Sequence, residues 1–343
     1  MRVLVIGTQA RIPALLYGGI ERIVQLLGDE LVRRGHKIDL MAGRGSVGFN
    51  GRTIGYRASR GNGVDRMWQR LLFQARLVRF SRSVDVVHTF FTWPQYHLPA
   101  AALAKNLVFH WQNLISADEV EVLRRIGNGK VSLVGVSHNQ FKGLPNTVAK
   151  RVIYNAVPTK KIVFHERPAD DKYVAYLGRI NHDKGADIAI RVAKHANMRL
   201  KIGGTVNDEP GAKKFFAEKI APSLGAMCEY VGPLDDRQKN IFLGRATAVL
   251  CPARWEEPFG IVIPESLACG TPVLGTRRGA LPELIDHGTT GMVCDDDGEL
   301  IEALRGTIKL SRHACRAAAE NRFSEAAFGD AVCDMYKELL CGD

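Results

Sequence analysis

Short apolar runs alternate with longer amphipathic stretches along almost the whole of this 343-residue chain, and no other feature narrows the fold as much. A five-residue apolar run reads as a strand buried on both faces of a parallel sheet, and a 3.6-residue period reads as the helix that crosses back over it. In the first half the run Arg2-Val-Leu-Val-Ile6 is the first expected strand. A loop and a helix over residues 18–34 follow, with Ile20, Ile23, Val24, Leu27 and Leu31 on one face and Gly35 as its stop. Further strands are expected at 37–41, 84–88, 107–110, 131–137 and 150–155. Residues 43–63, rich in Gly and Arg and without periodicity, read as an exposed loop, and residues 64–80 as a helix. Asn155-Ala-Val-Pro158 reads as the exit from a first domain. The pattern then starts again, with strands at 173–177, 199–202, 229–231, 248–251 and 272–275 and a helix over 183–195. Residues 324–340 carry Ala327, Phe328, Val332, Met335, Tyr336 and Leu339 at helical spacing.

This is an α/β chain of two doubly wound, Rossmann-like domains, expected at residues 1–158 and 159–323, with a cleft between them. In such folds ligands bind beyond the carboxyl ends of the strands. No run of eighteen apolar residues occurs, and the N-terminal apolar run is too short for a secretory segment. Seven cysteines are scattered without metal-ligand spacing, as expected of reduced thiols in a cytoplasmic protein. The net charge of +11 is one-sided: residues 1–158 hold 22 Lys+Arg against 9 Asp+Glu, and residues 159–343 hold 25 against 27. Such a field favours anionic partners such as nucleic acid, anionic lipid or a charged polymer. Nucleic acid is disfavoured because no helix-turn-helix, RNP-like strand or zinc spacing is present. The stretch 64–80 sets Arg66, Arg70, Arg76 and Arg79 beside Trp68, Leu71, Leu72, Leu77 and Phe80. That pattern fits either a surface helix docked by its apolar face or a helix lying on a membrane.

The densest chemistry lies in Arg254-Trp-Glu-Glu-Pro-Phe-Gly-Ile-Val-Ile-Pro-Glu-Ser-Leu-Ala-Cys-Gly270. Pro258-Phe259-Gly260 reads as a turn that opens a short helix, with Pro264 in the first turn, where a missing N–H costs nothing, and Gly270 as its stop. Free backbone N–H groups at Phe259, Gly260 and Ile261 suit phosphate or sugar oxygens, while Glu257 and Glu265 accept hydrogen bonds from hydroxyls. Arg179 and Lys184 lie on the loop after strand 173–177, where two cations suit a diphosphate. The first loop contains Tyr17-Gly18-Gly19 and Glu21, and Gly19 permits close backbone approach to a ligand. The chain reads Gly-Thr-Gln-Ala-Arg after Ile6 rather than GxGxxG, which counts against a dinucleotide cofactor. His88 and His110 both end expected buried strands, and pattern alone does not rank them. The run Asp295-Asp-Asp297 contains a formal DxD, yet it precedes a helical stretch and reads as its acidic cap; no metal is expected.

Together these stretches resemble the retaining glycosyltransferases of family 4, the group 1 glycosyl transferases with the GT-B fold. The resemblance runs through Tyr17-Gly-Gly-Ile-Glu21, Asp85-Val-Val-His88, Val136-Ser137, Ile153-Tyr-Asn-Ala-Val157 and Gly178-Arg-Ile-Asn-His-Asp-Lys-Gly185. Above all it rests on Glu256-Glu-Pro-Phe-Gly260 to Glu265-Ser-Leu-Ala-Cys-Gly-Thr-Pro272, and Gly279-Ala-Leu-Pro-Glu283 with Gly288-Thr-Thr-Gly291 extends it. It implies an N-terminal acceptor domain and a C-terminal domain for a nucleotide diphosphate sugar, with no cofactor and no metal. Residues 324–343 would cross back to the N-terminal domain. Arg179 and Lys184 would hold the diphosphate, Glu265 the ribose hydroxyls and Glu257 the hydroxyls of the transferred sugar. Backbone N–H groups of Phe259, Gly260 and Ile261 would complete the donor site, and Gly19 would approach the phosphates. By the same resemblance His110, rather than His88, takes the catalytic position beside Glu257.

The expected activity is transfer of a hexose, with retention, to a glycan or lipid-linked glycan acceptor of the cell-surface polysaccharide or lipopolysaccharide type. It would occur in the cytoplasm or on the inner face of an anionic membrane. A nucleotide-sugar epimerase or hydrolase on the same fold is the alternative among enzymes, and a nucleic-acid-binding protein is the alternative outside them. Residues 203–210 and 231–234 are the expected place for donor discrimination.

Overall fold

The computed structural model describes residues 1–14, 18–56, 63–90, 97–127, 131–208, 211–306 and 309–341. The chain divides into two compact units, Met1–Ala156 with Glu325–Asp343, and Val157–Ser324.

Among the described residues of the first unit seven strands form one sheet: β1 Arg2–Ile6, β2 Lys37–Gly43, β3 Thr53–Tyr56, β4 Val86–Thr89, β5 Leu107–Trp111, β6 Val131–Gly135 and β7 Ala149–Val152. Their order is β3-β2-β1-β4-β5-β6-β7, and every pairing is parallel. The central strand β1 buries Val3 to Ile6 completely, as an apolar run covered on both faces must. Chain order reverses between β1 and β4, and Ile6 lies opposite both Met41 and Thr89. Helix Gly63–Ser81 docks Phe73, Leu77 and Phe80 into the core.

Strand β3 corrects the expectation of a loop throughout 43–63. Among the described residues Thr53-Ile-Gly-Tyr56 pairs only with β2, at the sheet edge, and buries one residue of four, so it carries no apolar run to announce it. Residues 57–62 of that stretch lie outside the described residues.

The last helix, Glu325–Cys341, belongs to the first unit, where it packs on helix Gly19–Arg33 and buries Phe328, Val332, Cys333, Met335 and Tyr336. Arg34 secures it, with Nη1 2.6 Å from Asp330 Oδ1 and Nη2 donating to the Ala326 carbonyl at 3.0 Å. Its acidic side chains reduce the charge asymmetry. The first unit holds 23 Lys+Arg against 14 Asp+Glu, net +9, and the second 24 against 22, net +2.

The described residues of the second unit form six strands: β8 Tyr173–Leu177, β9 Arg199–Gly203, β10 Cys228–Gly232, β11 Val249–Cys251, β12 Val273–Thr276 and β13 Gly291–Cys294. They run in the order β10-β9-β8-β11-β12-β13, again all parallel. Strand β13 was not among the expected strands. It is a four-residue edge strand that starts on a glycine, too short for a periodicity to register. The helix expected from residue 183 starts at Ala186, because residues 178–185 are spent on a loop that ends with Gly185 in a left-handed conformation. Order reverses between β8 and β11, so the loops leaving these two neighbours diverge and open a crevice at their carboxyl ends.

Candidate active site

Both glutamates of the Arg254–Gly270 stretch lie at this switch point of the second unit. The segment after β11 carries Glu257, and the loop after β8 carries Arg179 and Lys184. Arg254 clamps the two loops together: its guanidinium meets Asp187 in a bidentate pair at 2.8 and 2.6 Å and donates to the His182 carbonyl at 2.8 Å. Burial would raise the Asp187 carboxyl, but the Arg254 guanidinium overrides it and holds the group below the usual carboxylate range.

A second clamp comes from the loop after β12. Gly279 N donates to Glu256 Oε2 and Ala280 N to the Glu257 carbonyl, both at 2.8 Å. Gly279 adopts φ +57°, and a Cβ there would stand 2.2 Å from the Glu257 nitrogen, so no other residue fits without moving the glutamate.

The short helix spans Val262–Ala268, with Pro264 inside its first turn and Gly270 at φ +87° just beyond its end. The turn before it places Gly260 at φ +82°, and the Gly260 and Ile261 N–H groups make no hydrogen bond among the described residues. Phe259 is buried against Phe323, with ring centroids 6.2 Å apart. Arg316 fixes the far end by donating to the Ala268 carbonyl at 2.8 Å and the Ile162 carbonyl at 2.9 Å.

Glu257 and Glu265 are 9% and 8% exposed, so each carboxylate needs a partner. The partner of Glu257 is Lys184, whose ammonium also sits 4.6 Å above the Trp255 ring, and Trp255 Nε1 donates to Glu257 Oε2 at 3.0 Å. Lys184 was expected on the diphosphate; in this structure it is engaged with the Glu257 carboxylate. The partner of Glu265 is Lys239, from helix Asp236–Gly244, which also lies 3.4 Å from Asp236. Neither Lys239 nor Trp255 was singled out in the sequence. A lysine in an exposed-looking helical stretch carries no signal that ties it to a glutamate 26 residues away. Arg179 is half-buried directly after β8, and Tyr176 Oη donates to its carbonyl at 3.1 Å.

Cys251, at the end of β11, is pushed up to about 12, first by burial and then by Glu257, so its thiol stays protonated. The three aspartates after β13 are all engaged in structural contacts. Asp295 pairs with Arg277 at 2.7 Å, Asp296 accepts from Glu299 N at 2.9 Å, and Asp297 pairs with Arg191 at 2.7 Å. Among the described residues no group of three or more His, Cys, Asp or Glu could hold a metal ion.

In the first unit Gly19 opens helix Gly19–Arg33 with empty space where a Cβ would go, whereas a Cβ at Gly18 would meet Glu21 and Ala14. Thr8 Oγ1 donates to Glu21. Tyr17 of this loop lies outside the described residues, as do residues 209 and 210 of the second unit.

The two histidines that pattern could not rank are neighbours, on β4 and β5. His88 Nε2 is 3.1 Å from His110 Nδ1, and Phe90 stacks on both rings at 5.1 and 4.8 Å. His88 Nδ1 meets Tyr336 Oη of the last helix at 2.6 Å. Burial lowers His110 to about 3, against a smaller opposing pull from the Ile153 backbone, and it lowers His88 well below the usual value with His110 adding to the effect. Both rings are therefore neutral at physiological pH and act as hydrogen-bonding groups rather than as charges.

Residues 17–161 match the family model described as Glycosyltransferase Family 4, and residues 159–327 the model described as Glycosyl transferases group 1. The chain belongs to the group 1 glycosyltransferases of the GT-B type. Over 182 residues this group 1 member is 31% identical to the D-inositol 3-phosphate glycosyltransferase of Mycolicibacterium smegmatis, covering 50% of this chain and 42% of that one. The chain spans about half the length of the curated relatives it matches. In fold it is similar to the sucrose-phosphate synthase of Thermosynechococcus elongatus, with a TM-score of 0.81 at 18% identity over the full length of both chains. It is also similar to Anabaena HepE in complex with UDP-glucose, at 0.73 and 16%, over 98% of this chain and all of that one.

Proposed function

We propose that this group 1 glycosyltransferase moves a hexosyl unit from a nucleotide diphosphate sugar to a glycan or lipid-linked glycan acceptor, with retention of configuration and without a metal cofactor. The observation that carries this reading is the pair of buried, lysine-clamped carboxylates at the switch point of the second unit. A carboxylate held in place and stripped of most of its water is a strong acceptor for paired hydroxyls. Glu265 takes the ribose hydroxyls and Glu257 those of the sugar, while Arg179 takes the diphosphate together with Lys184, which exchanges its contact with Glu257 for the phosphate oxygens when donor binds. These two cations supply the positive charge that a departing diphosphate needs. The engagement of Asp295, Asp296 and Asp297 in a helix cap and two ion pairs supports a reading without metal. The protonated Cys251 thiol is no nucleophile, which supports same-face transfer over a covalent intermediate on this residue.

UDP-glucose, present in the Anabaena relative, is the first donor to try. In a panel of nucleotide sugars the true donor is expected to raise the melting temperature, by mass action through about 2.7 kcal/mol of stabilisation at a hundred times its Kd. Nucleoside diphosphate should then appear only when acceptor is added. Turnover at full rate without any acceptor would replace this reading with a hydrolase or epimerase.

The acceptor is proposed to be presented at an anionic membrane surface. No helix among the described residues is long and apolar enough to cross a membrane. Helix Gly63–Ser81, however, is apolar on two opposite faces. One face is docked through Phe73, Leu77 and Phe80, and the other leaves Val64, Met67, Trp68, Leu71 and Leu72 between 47% and 59% exposed. Beside that stripe Arg44 and Arg76 line a hollow of about 300 Å³ with Gly55, Gln69 and Leu72, on a unit of net charge +9. An apolar stripe flanked by arginines fits the interface of an anionic bilayer, where each basic residue adds about 1 kcal/mol. The protein is expected to float with vesicles containing phosphatidylserine and to lose that binding when Trp68 and Leu72 are both changed to serine. Equal flotation with neutral vesicles, or with the variant, would remove the membrane from the proposal.

A further inference from the structure

The buried chain Tyr336–His88–His110 can be given a direction by counting its hydrogens. All three side chains are at most 1% exposed. The phenol is protonated, since burial raises Tyr336 well above its ordinary value, and each neutral imidazole carries one N–H. Two arrangements satisfy the two contacts. In the first, Tyr336 Oη–H donates to His88 Nδ1, His88 Nε2–H donates to His110 Nδ1, and the proton of His110 is left on Nε2. In the second, His110 Nδ1–H donates to His88 Nε2 and His88 Nδ1–H to the Tyr336 oxygen.

The second arrangement strands two groups: the phenolic hydrogen, which has no other acceptor among the described residues, and the bare Nε2 of His110. The first strands only the N–H at His110 Nε2, which is buried and, apart from the smaller pull on the ring from the Ile153 backbone, has no hydrogen-bond partner among the described residues. A buried hydroxyl hydrogen without an acceptor is strongly disfavoured.

We propose that Tyr336 is a positioning residue that acts through His88 to hold His110 in the Nε2–H tautomer, so that His110 offers a bound sugar a neutral hydrogen-bond donor. The last helix of the chain thereby sets the chemistry of a histidine on β5. No proton leaves any member of the chain, because Tyr336 and His88 act only by fixing which nitrogen of His110 bears its hydrogen. The inference rests on the reading of His110 as a substrate-facing residue, and its test separates the two.

Full-length protein carrying 15N-labelled histidine is examined by long-range 1H–15N correlation. His110 is expected to show a protonated Nε2 and an unprotonated Nδ1, and His88 the same pattern. Tyr336→Phe removes one hydroxyl and keeps the ring, so the fold is retained. With the phenol gone both arrangements strand one donor and one acceptor, and His110 should become a mixture of tautomers. The kcat should then fall roughly two- to tenfold, in proportion to the competent fraction, with little change in the donor KM. His88→Gln, whose amide N–H can replace the Nε2 donor, should retain more activity than His88→Leu. Protonation of His110 at Nδ1 in the unaltered protein, or an unchanged single tautomer in Tyr336→Phe, would overturn the proposal. If the tautomers behave as stated while His110→Ala keeps full turnover, the chain of hydrogen bonds stands and the substrate-facing role of His110 falls.

Discussion

Glu265→Ala is expected to reduce donor-dependent release of nucleoside diphosphate by about 10²- to 10³-fold, and Arg179→Ala by a similar factor. Two hydrogen bonds from ribose hydroxyls to a carboxylate contribute roughly 1.5–3 kcal/mol each, and a loss of about 2.7–4 kcal/mol, the lower part of their sum, corresponds to that factor. Part of the effect of Glu265→Ala will be structural. The substitution leaves Lys239 largely buried beside a vacated site, and breaking a buried pair costs about 3–5 kcal/mol. The cost here is smaller because 18% of the Lys239 side chain reaches solvent. Glu265→Gln keeps the shape and an acceptor for Lys239, so its melting temperature should fall less than that of Glu265→Ala while turnover still falls. Kinetics measured at saturating acceptor and varied donor check the assignment, and full activity in both Glu265→Ala and Arg179→Ala would sink it.

Ending the chain after Ser324 is expected to unfold the first unit and spare the second. The helix Glu325–Cys341 buries Phe328, Val332, Cys333, Met335 and Tyr336, and side chains of this kind contribute about 1.5–3 kcal/mol each at full burial. Their sum, about 7.5–15 kcal/mol before discounting for the compactness of the unfolded chain, is comparable with the whole stability of an ordinary domain. The truncation also leaves His88 Nδ1 without its phenol and exposes the face of helix Gly19–Arg33 that it covers. Limited proteolysis with mass spectrometry should show cleavage throughout residues 1–156 and a protected fragment near 157–324. Equal protection of both regions would show that the last helix adds little.

The parallel architecture was legible because its central strands are buried on both faces and therefore read as unbroken apolar runs, as in Val3 to Ile6 and Tyr173 to Tyr176. The edge strands β3 and β13 were not: β3 buries one residue of four, and β13 is a four-residue run that starts on a glycine. The glutamates were legible as well. Glu257 and Glu265 are separated by a turn and a short helix whose proline and glycines have readable conformational roles, and the motif set around them resembles one family. Their lysine partners were illegible, because Lys184 and Lys239 come from other loops and helices and meet the glutamates only after the sheet has formed. The charge split misled in part: the acidic last helix joins the basic half, and +13 becomes +9.

The amino-acid sequence by itself determined the central strands, the longest helices, their parallel winding and the positions of the two glutamates, since each depends on local pattern: burial period, turn chemistry and helix stops. Only the tertiary structure decided which cation meets which carboxylate, which histidine meets Tyr336, and which unit the last helix completes. Those outcomes depend on contacts between residues far apart in the chain, and side-chain spacing carries no record of such contacts until the sheets bring them together.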